Sequence, residues 1–184
     1  SEVDEVLKEL ERINRENHRE VEELLRRLER ILRESKKHIK EVIEDLRRRL
    51  KELEDEVRRR KDEDVRRRLR ELVERIEREV ERVIRRNDKL VKEAEERVKE
   101  AVKRLERSAE ELRKKVTRVV ERLSDEKKVR ELEEEARRVK RSTEEVIKRL
   151  RDSVEKLVKD SERVLRELKK EVERVVEEID KMIK

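Results

Sequence analysis

Apolar residues recur along this chain with one spacing from end to end. From Val3 and Val6 they run through Leu10, Ile13, Val21, Leu24, Leu28, Ile31, Ile39, Val42, Leu46, Leu50, Leu53 and Val57. Placed ~100° apart per residue, they fill an arc of roughly 120° that does not drift. That is the buried face of one long amphipathic helix. A second stripe runs from Val65 to Leu123 through Leu69, Ile76, Val83, Leu90, Val98, Leu105 and Leu112, and a third runs from Val129 to Ile183. The pattern predicts three helices, at about 2–61, 63–123 and 125–183.

The breaks between the stripes are chemically alike. Asp62, Glu63 and Asp64 follow the basic run Arg58–Lys61, and Ser124 and Asp125 precede the third stripe. Acids and hydroxyls suit a helix start, and bases suit a helix end. Ser1 with Asp4 resembles a capping box at the first helix. Connections this short make neighbouring helices antiparallel. The expected fold is all-α: a single up-down-up three-helix bundle over residues 1–184, each helix ~90 Å long at ~1.5 Å per residue. The stripes keep to a 3.6-residue grid, not the 3.5 that imposes a supercoil, so nearly straight helices with an 18-residue repeat are expected. A tight helix–helix turn usually uses a residue at positive φ, and Gly is the easiest choice. The chain has no Gly, so Lys61, Asp62, Ser124 or Asp125 must take that role, or the turns avoid it.

Composition narrows the function classes. Charged residues make up 61% and hydrophobic residues 32%, with no Gly, Pro, Cys or aromatic residue. Such charge can mean disorder, but the unbroken period supplies a face to bury. Without Cys there is no disulfide and no thiolate metal site. No apolar run approaches the ~18 residues of a membrane span. Membrane-surface helices usually carry Trp or Phe, and this chain has neither. No signal peptide is visible, and a soluble chain is expected. The net charge of +6 is concentrated at Arg47–Arg70. Interleaved acids and the lack of stacking aromatics make that a solvated tip, not a specific nucleic-acid site.

Polar residues interrupt the stripes. In the first, Asn17 and Ser35 are central, Asn14 lies inside, and His18 and His38 lie at opposite edges. In the second, Asn87 is central and Ser108 marginal. In the third, Thr143 and Ser161 are central, with Ser142 and Ser153 at the margin. With turns near residues 62–63 and 124–125, numbers at one level sum to about 125 between the first two helices. Between the last two they sum to about 249. His38 then faces Asn87, which faces Ser161; Asn17 faces Ser108, which faces Ser142. Two layers are expected: His38, Asn87 and Ser161 with Ser35, and Asn17, Ser108 and Ser142 or Thr143 with Asn14 and His18. A buried amide or imidazole left unpaired costs on the order of 2–7 kcal/mol. Closed layers remove most of that cost and penalise slipped registers.

Catalytic chemistry has little to work with. His18 and His38 are the only histidines, ~30 Å apart on one helix, so they cannot share a metal within one chain. Neither has the Glu three residues earlier that a helix-borne di-metal site uses. Ser35 and His38 share a face, but no Gly turn offers an oxyanion site. No enzyme, cofactor or metal is expected.

A Glu/Arg/Lys surface, a Leu/Ile/Val core, no Gly or Pro, and level-matched Asn17, His38, Asn87, Ser108 and Ser161 resemble a computationally designed helical bundle with buried hydrogen-bond networks. The resemblance covers the whole chain. It implies a heat-resistant scaffold with no natural activity, needing no partner when monomeric. The alternative it leaves is an interaction module: a self-associating chain, or one half of a pair completed by a designed partner helix. Burial of His38 would add a pH response, since protonation would place a charge in the core.

Overall fold

The computed structural model describes residues 1–184 as three α-helices. Helix α1 spans Glu2–Arg59, α2 spans Glu63–Arg122 and α3 spans Glu126–Ile183, with 58, 60 and 58 residues. Each starts on a cap. The Ser1 hydroxyl accepts from the Asp4 amide at 3.4 Å and donates to Asp4 Oδ2 at 3.0 Å. The Asp62 carboxylate accepts from the Val65 amide at 3.0 Å, and Asp125 accepts from Lys127 and Lys128 at 3.0 and 3.4 Å. These bonds satisfy amides that have no partner inside the helix.

No residue has positive φ, so neither turn uses the left-handed conformation that Gly would have supplied. The first turn is held by charge instead. Arg60 reaches Asp62 at 2.8 Å and Asp64 at 3.4 Å, while Arg68 of α2 reaches back to Glu56 of α1 at 3.1 Å. The second closes with a tighter bond, from the Leu123 amide to the Val120 carbonyl at 3.1 Å. Helix α1 ends two residues and α2 one residue before the expected ends, and α3 ends at Ile183 as expected.

Contacts group the chain into two units: residues 1–29 with 93–156, and residues 30–92 with 157–184. Each takes a part of all three helices. In the first unit α1 and α2 are antiparallel: Glu2 pairs with Arg122 (2.8 Å), Glu20 with Arg104 (2.6 Å), and Glu9 with Lys115. Partner numbers sum to 124 in each pair. The steps along α1 are 7 and 11 residues, together 18, which is five turns of a straight helix. Helix α3 runs parallel to α1 there, with Arg149 at 2.8 Å from Glu22. The core joins Val3, Val6 and Leu10 to Leu112, Val116, Val119, Leu132 and Val139.

In the second unit the α1–α3 offset is 124, for Lys36 with Asp160 (3.5 Å) and Arg47 with Glu171 (2.8 Å). Its core joins Ile39 and Leu46 of α1, Leu69 and Ile76 of α2, and Leu168, Val175 and Ile179 of α3. Full burial of such side chains contributes about 1.5–3 kcal/mol each, opposed by the entropy of ordering the chain. No large hydrophobic residue is exposed in the chain, which is the outcome a fixed 3.6-residue stripe produces.

Candidate functional site

The polar residues on the buried faces are the candidate site, and the two units arrange them differently. In the second unit each helix contributes one residue to a chain of hydrogen bonds. Ser35 Oγ donates to Asn87 Oδ1, and Asn87 Nδ2 donates to Ser161 Oγ. Asn87 and Ser161 are buried, and Ser35 is half-buried. The amide is thus used as an acceptor on one side and a donor on the other, its oxygen and nitrogen each taking one role.

His38 does not join this layer as expected. It is exposed and lines a small cleft of ≈ 100 Å³ beside Ser35 and Asn87. Its position at the stripe edge lets the long imidazole turn toward water, and Ser35, one turn earlier and nearer the stripe centre, takes the inner place. The burial that would have made His38 a pH-sensitive core residue is absent.

In the first unit the expected layer of Asn17, Ser108 and Ser142 does not close. Asn17 and Ser108 are half-buried, and neither hydrogen-bonds to the other. His18 takes the central role instead. Its Nδ1 lies 2.8 Å from the Asn14 carbonyl oxygen, which can only accept, so Nδ1 carries the proton. Nε2 then accepts from the Ser142 hydroxyl at 3.1 Å. Thr143 is buried but bonds within its own helix, donating to the Val139 carbonyl at 2.9 Å. Asn14 enters through its backbone, while its side-chain Oδ1 is buried without a partner.

Two carboxylates that the stripes did not single out are buried on α3 in the second unit: Asp160, 7% exposed, and Glu171, 8% exposed. Arg47 grips Glu171 with Nε at 2.8 Å and Nη2 at 3.4 Å, and Arg174 adds a contact at 3.1 Å. The Arg47 hydrogen bond holds the Glu171 carboxyl below its ordinary range; burial opposes this, and the charges of Arg174 and Arg47 add to it. Asp160 is held by Lys36 and by Arg163 at 2.6 Å. In a sequence this rich in charge a buried acid has no contrast against its neighbours. The usable signal is the offset of 124 that sets Lys36 and Arg47 beside them, the same offset as His18 with Ser142.

No group of three or more His, Cys, Asp or Glu is arranged to hold a metal ion, and no helix is long and apolar enough to cross a membrane. No protein-family model and no curated protein matches the chain. Among solved structures it is similar to a computationally designed three-helix bundle, with a TM-score of 0.59 and 13% sequence identity over 98% of this chain and 85% of that one. At that identity the likeness is one of fold, and the fold of this chain is a three-helix bundle of helices about 60 residues long.

Proposed function

We propose that this chain is a designed structural scaffold, and that its buried polar residues act to fix helix register. The observation that carries this is the Ser35–Asn87–Ser161 chain, in which one residue from each helix satisfies a buried amide. A slip of any helix would set that amide against aliphatic side chains and leave it unpaired. The reading assigns no catalytic role. His18 is occupied by a carbonyl and a hydroxyl, and His38 faces solvent.

The test uses the absence of native cysteine. One version carries Arg49→Cys and Glu79→Cys, whose side chains are ion-paired at 3.3 Å. Another carries Arg49→Cys and Arg86→Cys, seven residues out of register. Thiol cross-linking is expected in the first only. In a Ser35→Ala, Asn87→Leu, Ser161→Ala background the slipped pair is expected to cross-link as well. A background that still cross-links only the matched pair would remove the register role. The reading also treats residues 1–184 as one folding domain, expected to unfold in a single calorimetric transition. A melt below about 60 °C, inside the mesophile range, would count against so large an aliphatic core.

A further inference from the structure

The first unit has an open groove between α2 and α3. It holds ≈ 720 Å³ and is floored by Leu112, Val116, Ala136, Val139 and Ile147, with Ala109 beside them. The chain's four alanines, Ala94, Ala101, Ala109 and Ala136, all lie on α2 and α3 in this unit. Ala109 and Ala136 line this groove and leave the outer side of the two helices poorly filled, whereas Ala94 and Ala101 are buried in the core. The groove continues past Glu106 and Arg151 as a second depression of ≈ 490 Å³ over Val98, Val102 and Val154.

The rims carry an ordered charge pattern. On α2, Lys103, Glu106, Glu110 and Arg113 read plus, minus, minus, plus. On α3 at the matching levels, Glu144, Lys140, Arg137 and Glu134 read minus, plus, plus, minus. The levels follow from the α1–α2 sum of 124 and the α1–α3 offset of 124 in this unit, which give an α2–α3 sum near 248. None of these four cross-groove pairs closes. Glu106 reaches Arg151 instead, at 3.6 Å, and Glu110 is gripped by Arg113 on its own helix at 2.7 Å. All eight side chains are exposed.

We infer that this face is a self-complementary docking surface for a second copy of the chain. A two-fold axis parallel to the groove places α2 of one copy against α3 of the other at the same level. Each of these eight rim charges then meets its opposite in trans: Lys103 with Glu144, Glu106 with Lys140, Glu110 with Arg137, and Arg113 with Glu134, while beyond them Lys148 falls level with Lys99. Ala109 and Ala136 let the two faces approach over floors already buried within each copy, so the rim charges carry the contact. Opposed rim charges of this kind set partner and orientation more than raw strength, so a reversible dimer is expected. This goes beyond the scaffold reading and does not depend on it.

The test is trans-complementation, read by sedimentation equilibrium of the full chain. The parent is expected to dimerise reversibly. Glu106→Lys with Glu110→Lys is expected to weaken the dimer at least ten-fold, and so is Arg137→Glu with Lys140→Glu. An equimolar mixture of the two variants is expected to restore parent-like association, since each interface then pairs opposite charges. All four substitutions lie at exposed positions, and unchanged helical circular dichroism checks that the fold is kept. A parent that stays monomeric to about 1 mM, a Kd range worth only ~4 kcal/mol, overturns the proposal, even where it binds an unrelated amphipathic helix. Variants that dimerise like the parent, or a mixture that fails to associate, overturn it equally.

Discussion

The two units take the same three helices in the same antiparallel order and settle their polar residues in opposite ways. In the second unit a single amide, Asn87, is saturated from both sides by hydroxyls of the other two helices. Its two buried acids are each held by two cations. In the first unit no side chain links all three helices. His18 and Ser142 join α1 to α3, Thr143 is satisfied within its own helix, and Asn14 keeps a buried oxygen with no partner. The difference shows that a polar residue near the centre of a stripe is not by itself a network. What matters is whether side-chain length and level let donor meet acceptor before the backbone or solvent does.

The largest expected effect comes from removing the saturated amide. Asn87→Ala leaves a cavity and strips a partner from both hydroxyls, and is expected to cost about 2–4 kcal/mol in denaturant unfolding. Asn17→Ala and Ser108→Ala, in the other unit, are expected to stay within about 0.5 kcal/mol. Equal costs at Asn87 and Asn17 would erase the contrast between the units.

Acid should act on the second unit first. Because the Glu171 carboxyl titrates lower in the folded chain than in the unfolded one, its contribution is complete above the unfolded value of about 4.3. It is lost as pH falls through the depressed folded value. Amide exchange across residues 157–184 is expected to accelerate below about pH 4 in the parent, with less change in Glu171→Gln. His38→Ala, at an exposed position, is expected to move the denaturant-unfolding free energy by no more than about 0.5 kcal/mol.

Smaller effects refine the comparison. Ser142→Ala is expected to cost about 1 kcal/mol through the lost bond to His18. Asn14→Leu is expected to move the other way, by up to about 1 kcal/mol, since it removes a buried acceptor that nothing satisfies. Both are read as shifts of the denaturant midpoint at constant slope.

Much of the fold is written locally. The 3.6-residue stripes and the caps at Ser1, Asp62 and Asp125 place the helices within three residues at each end, because period and capping depend on near neighbours alone. Level sums place Asn87 opposite Ser161, and the two are hydrogen-bonded. They do not distinguish Ser35 from His38, three residues apart, because the choice turns on which side chain is short enough to stay inside. Nor do they reveal that His18 would spend one nitrogen on the Asn14 carbonyl, since every helical residue carries such a carbonyl. Asp160 and Glu171 were hidden by abundance: an acid is informative only where acids are scarce.

The turns carry a last consequence. With no Gly, no Pro and no residue at positive φ, nothing in the backbone stops α1 at Arg59 or α2 at Arg122. The hairpins are marked by the Asp62 and Asp125 caps that begin the next helix, by the ion pairs of Arg60 and Arg68 at the first turn, and by the Leu123–Val120 bond at the second. The same residues are compatible with one uninterrupted helix running through either turn. An unbent chain would recover its core by exchanging helices with a second molecule, the familiar hazard of short hinge loops. Topology in this molecule is therefore guarded by polar side chains at the turns, foremost the two cap carboxylates. Removing them with Asp62→Ala and Asp125→Ala is expected to give slowly interconverting, helix-exchanged species on gel filtration after refolding at high concentration.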